Sequence, residues 1–469
     1  MAETGVPTFR AASPGVMAGL LVSVSLTLFG CAPQTKTTAP PVEVPDTFSA
    51  PGTQPAPGRW WTAFGNERLN ALVDSATASN LTLKTAWQRL QAARAVVDRE
   101  SASLLPSIDA SAQGEVRNTQ PDGSGTEQLQ FGLSAGYEVD LWGRLTSQVA
   151  AERFRARATR ADYQTAALSL SAEVVRTWVR LAEARSQRRL VDRQIDTNQK
   201  VLNLLEARFK AGQIRSEDVL RQRQLLESTR QQRAAVETRV QELEHRLAVL
   251  LGRLPQTGVA APPDTLPELP PLPATGVPAN LVRRRPDVRR AYNLLKAADR
   301  DLAAAISNQY PRLTLTASAS SATDGAQALF KDWAYAFAGD LLAPLFRGGA
   351  LRAEVRRTEA VRTQRLYAYG QAVLTAFQDV EDALVREQQQ RKQIQSLEAQ
   401  VRLAQQSYEQ LRVQYFNGAV DYLEVLTALE EVQQLRRDLL GARRELVEVR
   451  IALYRALAGG FDTGRGADE

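Results

Sequence analysis

Between Arg144 and Ala211 the chain contains neither glycine nor proline. Nothing in the backbone therefore interrupts a single helix of about 65 residues, roughly 100 Å at 1.5 Å per residue. A compact domain seldom needs that length. Leu168, Val175, Trp178, Leu181, Leu190, Ile195, Val201 and Leu205 recur at three-and-four spacing among Arg, Gln and Glu, as in helices packed along apolar seams. The pattern returns from about Leu351 to Phe416, interrupted by Gly370.

The return is part of a duplication. At a shift of 204 to 207 residues, Leu105-Pro106 aligns with Tyr310-Pro311 and Leu141-Trp142 with Leu345-Phe346. Phe209 and Gly212 align with Tyr415 and Gly418, and Asp218-Val219-Leu220 with Glu424-Val425-Leu426. A repeat of this length governs architecture before any single motif does. Each half reads helix, two strands, very long helix, Gly turn, shorter helix, with a Pro-rich linker from Pro255 to Pro278 between them.

The strands alternate strictly. Ile108, Ala110, Ala112 and Val116 oppose Asp109, Ser111, Gln113 and Glu115; Leu129, Phe131, Leu133, Ala135, Tyr137 and Val139 oppose Gln130, Ser134, Glu138 and Asp140. In the second half Leu313, Leu315, Ala317 and Ala319 oppose Thr314, Thr316, Ser318 and Ser320, and Trp333, Tyr335, Phe337 and Leu341 complete the pair. Polar or Gly-rich turns, Pro121 to Gly125 and Thr323-Asp324-Gly325, join the two pairs. Each run is about the 9 to 11 residues that a tilted strand needs to cross a bilayer. Four strands cannot close a barrel, and each unpaired edge group in hydrocarbon costs several kcal/mol, so the sheet must be completed by other chains. Two chains with eight strands and three with twelve both satisfy that requirement; twelve leave a lumen.

Composition excludes most chemistry. One His and one Cys in 469 residues supply neither a zinc cluster nor an intrachain disulfide, and only His245 or Cys31 could join a nucleophile relay. No Walker-type nucleotide loop is present, so an enzyme is not expected. Lys and Arg exceed Asp and Glu by 58 to 52, too small an excess to indicate nucleic-acid binding. His245, amid Glu242, Glu244 and Arg246, reads as structural.

At the amino terminus Val16 to Phe29 has the length of a signal-peptide core rather than of a membrane-spanning helix. It ends Leu28-Phe29-Gly30-Cys31, which resembles the lipobox of bacterial lipoproteins. That resemblance implies an N-acyl diacylglycerol anchor on Cys31 as the only prosthetic group, with no other cofactor and no metal. Ala32 after the Cys resembles the outer-membrane sorting class. The expected organisation is a signal peptide at 1–30, a lipidated Pro-rich tether at 31–58 and a first repeat at 59–254 with strands 106–117 and 128–141 and long helices 144–211 and 216–251. A linker at 255–280, a second repeat at 281–458 with strands 311–321 and 332–342 and long helices 350–416 and 421–457, and a tail at 459–469 complete it.

Trp60-Trp61 followed by Phe64 and Leu69, the run Leu281 to Val288 containing Arg285-Pro286-Asp287, and the paired Gly212 to Leu220 and Gly418 to Leu426 segments resemble the outer-membrane efflux channels, TolC-like, and among them the NodT-type lipoproteins. The resemblance implies a mainly α fold with a small membrane β-barrel: a homotrimer with a 12-stranded barrel, four strands per chain, continued by a long α-helical periplasmic barrel. It implies a bacterial outer-membrane location in contact with lipid, and an exit duct for drugs, metals or other small toxic compounds. The implied partners are a periplasmic adaptor and an inner-membrane RND transporter. The Arg-Pro-Asp run itself reads as a helix start, a scaffold rather than a site.

The resemblance also transfers a gate and adaptor-docking region to the helix-turn tips. Gly212 and Gly418 make the turns, Asp218 and Glu424 fall on tip carboxylates, Tyr415 on an aromatic near the constriction, and Thr427 replaces a second acid. Arg215 lies where it can pair with an acid on a neighbouring helix. Capping competes for the acids: Ser216 can cap a helix with Glu217 and Asp218 in its first turn, and Asp421 and Glu424 have capping-box spacing. Two other functions remain open, an outer-membrane channel for type I protein secretion and a non-conducting, lipid-anchored coiled-coil scaffold.

Overall fold

The computed structural model describes residues 41–43, 45–50, 58–118, 125–258, 265–276, 278–324 and 330–465. Cys31, the signal peptide and most of the Pro121 to Gly125 turn lie outside them, as does Gly325. The described elements are a 3-10 turn at Trp60–Phe64, α1 (Glu67–Ser79), α2 (Leu81–Ala102), β1 (Ser107–Asn118), β2 (Gly125–Val139), α3 (Arg144–Lys210), α4 (Ser216–Leu250), α5 (Pro278–Arg284) and α6 (Pro286–Ser307). They continue with β3 (Arg312–Thr323), β4 (Ala334–Leu342), α7 (Ala350–Phe416) and α8 (Tyr422–Leu457). The chain divides into two units: Val96–Arg153 with Lys296–Thr363, and Pro40–Ala95 with Phe154–Leu295 and Gln364–Glu469.

The first unit holds one antiparallel sheet in the order β1-β2-β3-β4. Its register carries the alternation across all four strands. Ile108 faces Ala135, Ala135 faces Ala317, and Ala317 faces Phe337; the next row on that face runs Ala110, Leu133, Ala319 and Tyr335. The opposite face carries Asp109, Ser134 and Ser318 in one row and Glu138, Thr314 and Asp340 in another. A slip of one residue would mix the two faces, so the period of two specifies the pairing. The apolar face is bare: Ile108, Val116, Tyr335, Phe337 and Leu341 are all exposed. Trp333, expected within the last strand, lies just before β4 and packs on Phe131 at 6.1 Å, in a small aromatic group with Phe330.

The strand-to-helix junction is built from side chains that satisfy helix amides. Asp140 accepts from the backbone N–H of Leu145 (3.0 Å) and Thr146 (2.8 Å), while Arg144 grips Glu138 at 2.7 Å. Trp142 donates its Nε1–H to the Pro311 carbonyl (2.8 Å) and stacks on Tyr310. Its repeat counterpart Phe346 is 89% exposed.

In the second unit Trp60, Trp61, Leu69 and Val73 are buried against Trp178 and Val179 of α3, Leu247 of α4 and Ile451 of α8. The Trp60 indole donates to Ser171 Oγ at 3.1 Å, so the tryptophan pair is core. A second core joins Leu281, Val288 and Leu295 to Val373 and Val380 of α7 and Leu453 of α8. Arg285, almost fully buried, donates to both Asp287 carboxylate oxygens (3.0 and 2.6 Å) and to Asp379 (2.8 Å). Burial alone would raise Asp287, but the paired guanidinium outweighs it and holds the carboxyl below the ordinary value. The Arg-Pro-Asp run is thus a clamp on α7.

Several expectations are corrected here. Residues 48–50 do not hang free as a tether. Phe48 is buried in the second core, Ser49 donates its N–H to Glu381 at 3.0 Å, and Thr275 donates to the Ala50 carbonyl at 3.1 Å. α7 continues unbroken through Gly370, within the 350–416 helix expected from the sequence, and Gly370 sits where a Cβ would come within 3.0 Å of Pro41. One glycine in a long helix costs only about 1 kcal/mol. The linker and tail also pack: Leu266 and Leu269 lie on the first core, Phe461 meets Trp61 edge-on at 4.7 Å, and Arg450 donates to the Pro270 carbonyl. Proline content marked these segments as irregular, which is compatible with being anchored.

Candidate docking and gating tips

The turn after α3 and the turn after α7 share one geometry. Gly212 has φ of 68° and Gly418 of 75°. The Gln213 N–H reaches back to the Arg208 carbonyl (2.9 Å) and the Gly212 N–H to Phe209 (2.9 Å); Ala419 and Gly418 repeat this with Gln414 and Tyr415. These are paired Schellman closures, in which the left-handed residue satisfies the last carbonyls of a helix. Glycine is required at both by its backbone angle.

Capping accounts for Asp218 in part and not for the other acids. The N-cap position of α4 is Arg215, not Ser216, and its own side chain makes no cap bond, but Asp218 reaches back to accept from the Arg215 backbone N–H; Asp421 stands at the N-cap of α8 and makes no side-chain cap bond. Glu217, Asp218 and Glu424 remain in first turns, where the helix dipole favours them. Arg215 meets Glu217, two residues on in its own turn, at 3.3 Å rather than an acid on another helix. The flexible arm takes the nearest carboxylate, and both partners stay well exposed.

The structure brings Asp218 and Tyr415 into one cluster and leaves Glu424 exposed outside it. Asp218 is half-buried; burial and then Glu217 raise its carboxyl above the ordinary value, outweighing the Arg221 charge and the backbone N–H and charge of Arg215. Tyr415 packs against Phe416 and Tyr422, with ring centroids at 5.9 and 5.5 Å, and lies under the Arg208 guanidinium at 5.4 Å. Burial raises its phenol, with Arg208 opposing and Asp218 adding. Tyr422, shifted up chiefly by burial, donates to Gln222 Oε1 at 2.5 Å.

Below the tips lies a polar lattice that apolar periodicity missed. Asn198 donates to Thr229 Oγ1 (2.9 Å), its carbonyl accepts from Gln222 Nε2 (2.9 Å), and its Oδ1 accepts from Gln433 Nε2 (2.9 Å). Gln194 donates to the Gln433 carbonyl at 3.1 Å and accepts from Arg437 at 2.8 Å. The lattice ties the α3–α4 hairpin to α8. Near the tip the fully buried seam of α3 is Val191, Gln194, Asn198, Leu202 and Leu205, whereas Leu190, Ile195 and Val201, expected there, are only half-buried. The three-and-four spacing of the buried set was the available signal, concealed because two of its members are amides.

His245 is exposed on α4. Among the described residues no group of three or more His, Cys, Asp or Glu could hold a metal ion, and no helix is long and apolar enough to cross a membrane.

Comparison with known proteins places these features in company. The family profile described as "Outer membrane efflux protein" matches residues 72–253 and 277–459. The chain is 32% identical to the "Pyoverdine export outer membrane protein OpmQ" of Pseudomonas aeruginosa over 87% of its length and 88% of that protein. It is 28% identical to the "Cation efflux system protein CusC" of Escherichia coli, over 93% and 97%. Among solved structures, the outer-membrane channel OprN superposes with a TM-score of 0.85 at 26% identity, covering 92% of this chain and 99% of that one. The open-state MtrE outer-membrane channel of Neisseria gonorrhoeae gives 0.84 at 28%, covering 92% and 99%.

Proposed function

The chain belongs to the outer membrane efflux protein family and serves as the outer-membrane channel of an efflux system, and from that premise we propose that it is a passive duct, completed by three copies and catalysing no reaction. The observation that carries this is the sheet. Four strands present one bare apolar face and one polar face, with β1 and β4 at its edges. Twelve strands from three copies satisfy those edges, turn the apolar face to lipid and enclose a wet lumen. The named relatives export pyoverdine or belong to a cation efflux system, which supports small compounds as cargo in preference to secreted protein.

Energy then comes from an inner-membrane transporter of the RND type, linked through a periplasmic adaptor that packs on the helix-turn tips. Asp218 supports the tips as a gate: half-buried, with its carboxyl raised, it gains most from a further cation such as Arg215 of a neighbouring copy. Neutralisation by Asp218→Asn or Glu424→Gln is expected to raise single-channel conductance in planar bilayers; unchanged conductance would remove both acids from the gate. Deletion of the protein should raise accumulation of its exported compounds. Cys31 is the proposed lipid anchor. Intact-mass analysis of the mature protein should show a triacylated N-terminal Cys31, and an unmodified mass would overturn the anchor.

A further inference from the structure

A cavity of about 520 Å³ is lined by Arg157 and Arg160 of α3, Arg283 of α5, Arg289 and Tyr292 of α6, and Tyr369 of α7. No carboxylate lines it. The neighbouring arginines of the same segment behave differently: Arg285 holds Asp287 and Asp379, and Arg290 holds Asp162 at 2.7 Å. Among the described residues none of the four lining guanidiniums is ion-paired. Arg289 touches only the neutral Gln164, at 3.3 Å, and Arg157 lies over the Phe154 ring at 5.1 Å.

Four guanidiniums converging without a counter-charge repel one another, and a single carboxylate would offset only one of them. Each guanidinium presents parallel N–H donors matched to the oxygens of phosphate. Tyr369 is buried and Tyr292 half-buried, their rings 5.6 Å apart, and they supply a wall of low polarity on one side. A charge held against such a wall is less screened than one in open water. We propose that this cavity is a binding site for a multiply charged phosphate group, a pyrophosphate or a clustered phosphate ester.

The group could belong to a soluble phosphate or to a phospholipid headgroup, and the test separates the two. Full-length protein in neutral detergent at low ionic strength is titrated with inorganic pyrophosphate by calorimetry, with and without vesicles containing phosphatidylglycerol. Saturable binding is expected, weakened at least tenfold by the double substitution Arg160→Gln with Arg283→Gln, and less by Arg160→Lys with Arg283→Lys, which keeps charge but loses the fork. Competition by the anionic vesicles, not by phosphatidylcholine vesicles, identifies the headgroup as the source; saturable binding without competition identifies a soluble phosphate. Absence of saturable binding, or equal affinity in wild type and the glutamine variant, overturns the site. Single-channel conductance of the same variants should match wild type, which shows that they fold and keeps this site's failure distinct from failure of the duct.

Discussion

At the scale of single residues, the buried charges are arranged so that each acid answers a guanidinium. Arg450, fully buried, holds Glu387 and donates to the Pro270 carbonyl. Burial pushes the Glu387 carboxyl up, but Arg450 and Arg391 hold it below the ordinary value; Glu448 is depressed in the same way by Arg180 and Arg444, as Asp287 is by Arg285. Removing one member strands the other, so Arg450→Met alone is expected to cost about 3–5 kcal/mol, whereas Arg450→Met with Glu387→Leu should be near neutral. Unfolding in detergent checks both. Because these folded-state values are depressed, the stability they contribute is full above the unfolded carboxylate range and is lost as pH falls through the lower folded values. The melting temperature should therefore be flat from neutrality to about pH 5 and decline below about pH 4.

At the scale of elements, the repeat predicts a contact that a single chain cannot make. Within the chain, Phe131 of β2 stands opposite Ser321 of β3 and Tyr137 opposite Leu315. The duplication carries β2 onto β4 by 204 residues and β1 onto β3 by 205. The same register then sets Tyr335 opposite Val116, and Leu341 opposite Ala110, of a neighbouring copy. All but the small Ala110 are large exposed side chains on the apolar face. Leu341→Cys with Ala110→Cys should yield oxidant-dependent cross-linked ladders, and Leu341→Cys with Ser111→Cys, which lies on the other face, should not. Equal cross-linking of both pairs would reject the register. In the tip hairpins, Asn198→Ala leaves Gln433 Nε2 without its acceptor and Thr229 Oγ1 without its donor, and should cost about 1–3 kcal/mol in unfolding.

At the scale of the whole molecule, the bare sheet face demands assembly. An exposed apolar surface of this kind marks lipid or a partner, and the free edges make one copy an incomplete object. Detergent-solubilised protein should have the mass of three chains by light scattering with the detergent contribution subtracted; a monodisperse single polypeptide would refute the shared barrel. The gate at the tips and the phosphate cavity lie about 50 residues apart along α3 and α7, so substitutions at one are expected to leave the other unaffected.

Much of this was legible in the chain itself, because periodicity reports directly on which face is buried. The alternation from Ile108 to Val116 and from Leu313 to Ala319 placed strands within one or two residues of their observed bounds, and the glycine-free run from Arg144 marked a 67-residue helix. What periodicity could not reveal was the use made of polar and irregular residues. Asn198, Gln194 and Gln433 occupy buried positions only because partners from other helices satisfy their amides, and those partners lie up to 243 residues away. Arg215 turns to Glu217, Phe48 and Ser49 dock on α7, and four arginines converge without acids for the same reason. Local sequence determines which backbone geometry a segment can adopt, but the fate of a polar side chain is decided by what the rest of the fold brings within hydrogen-bonding reach.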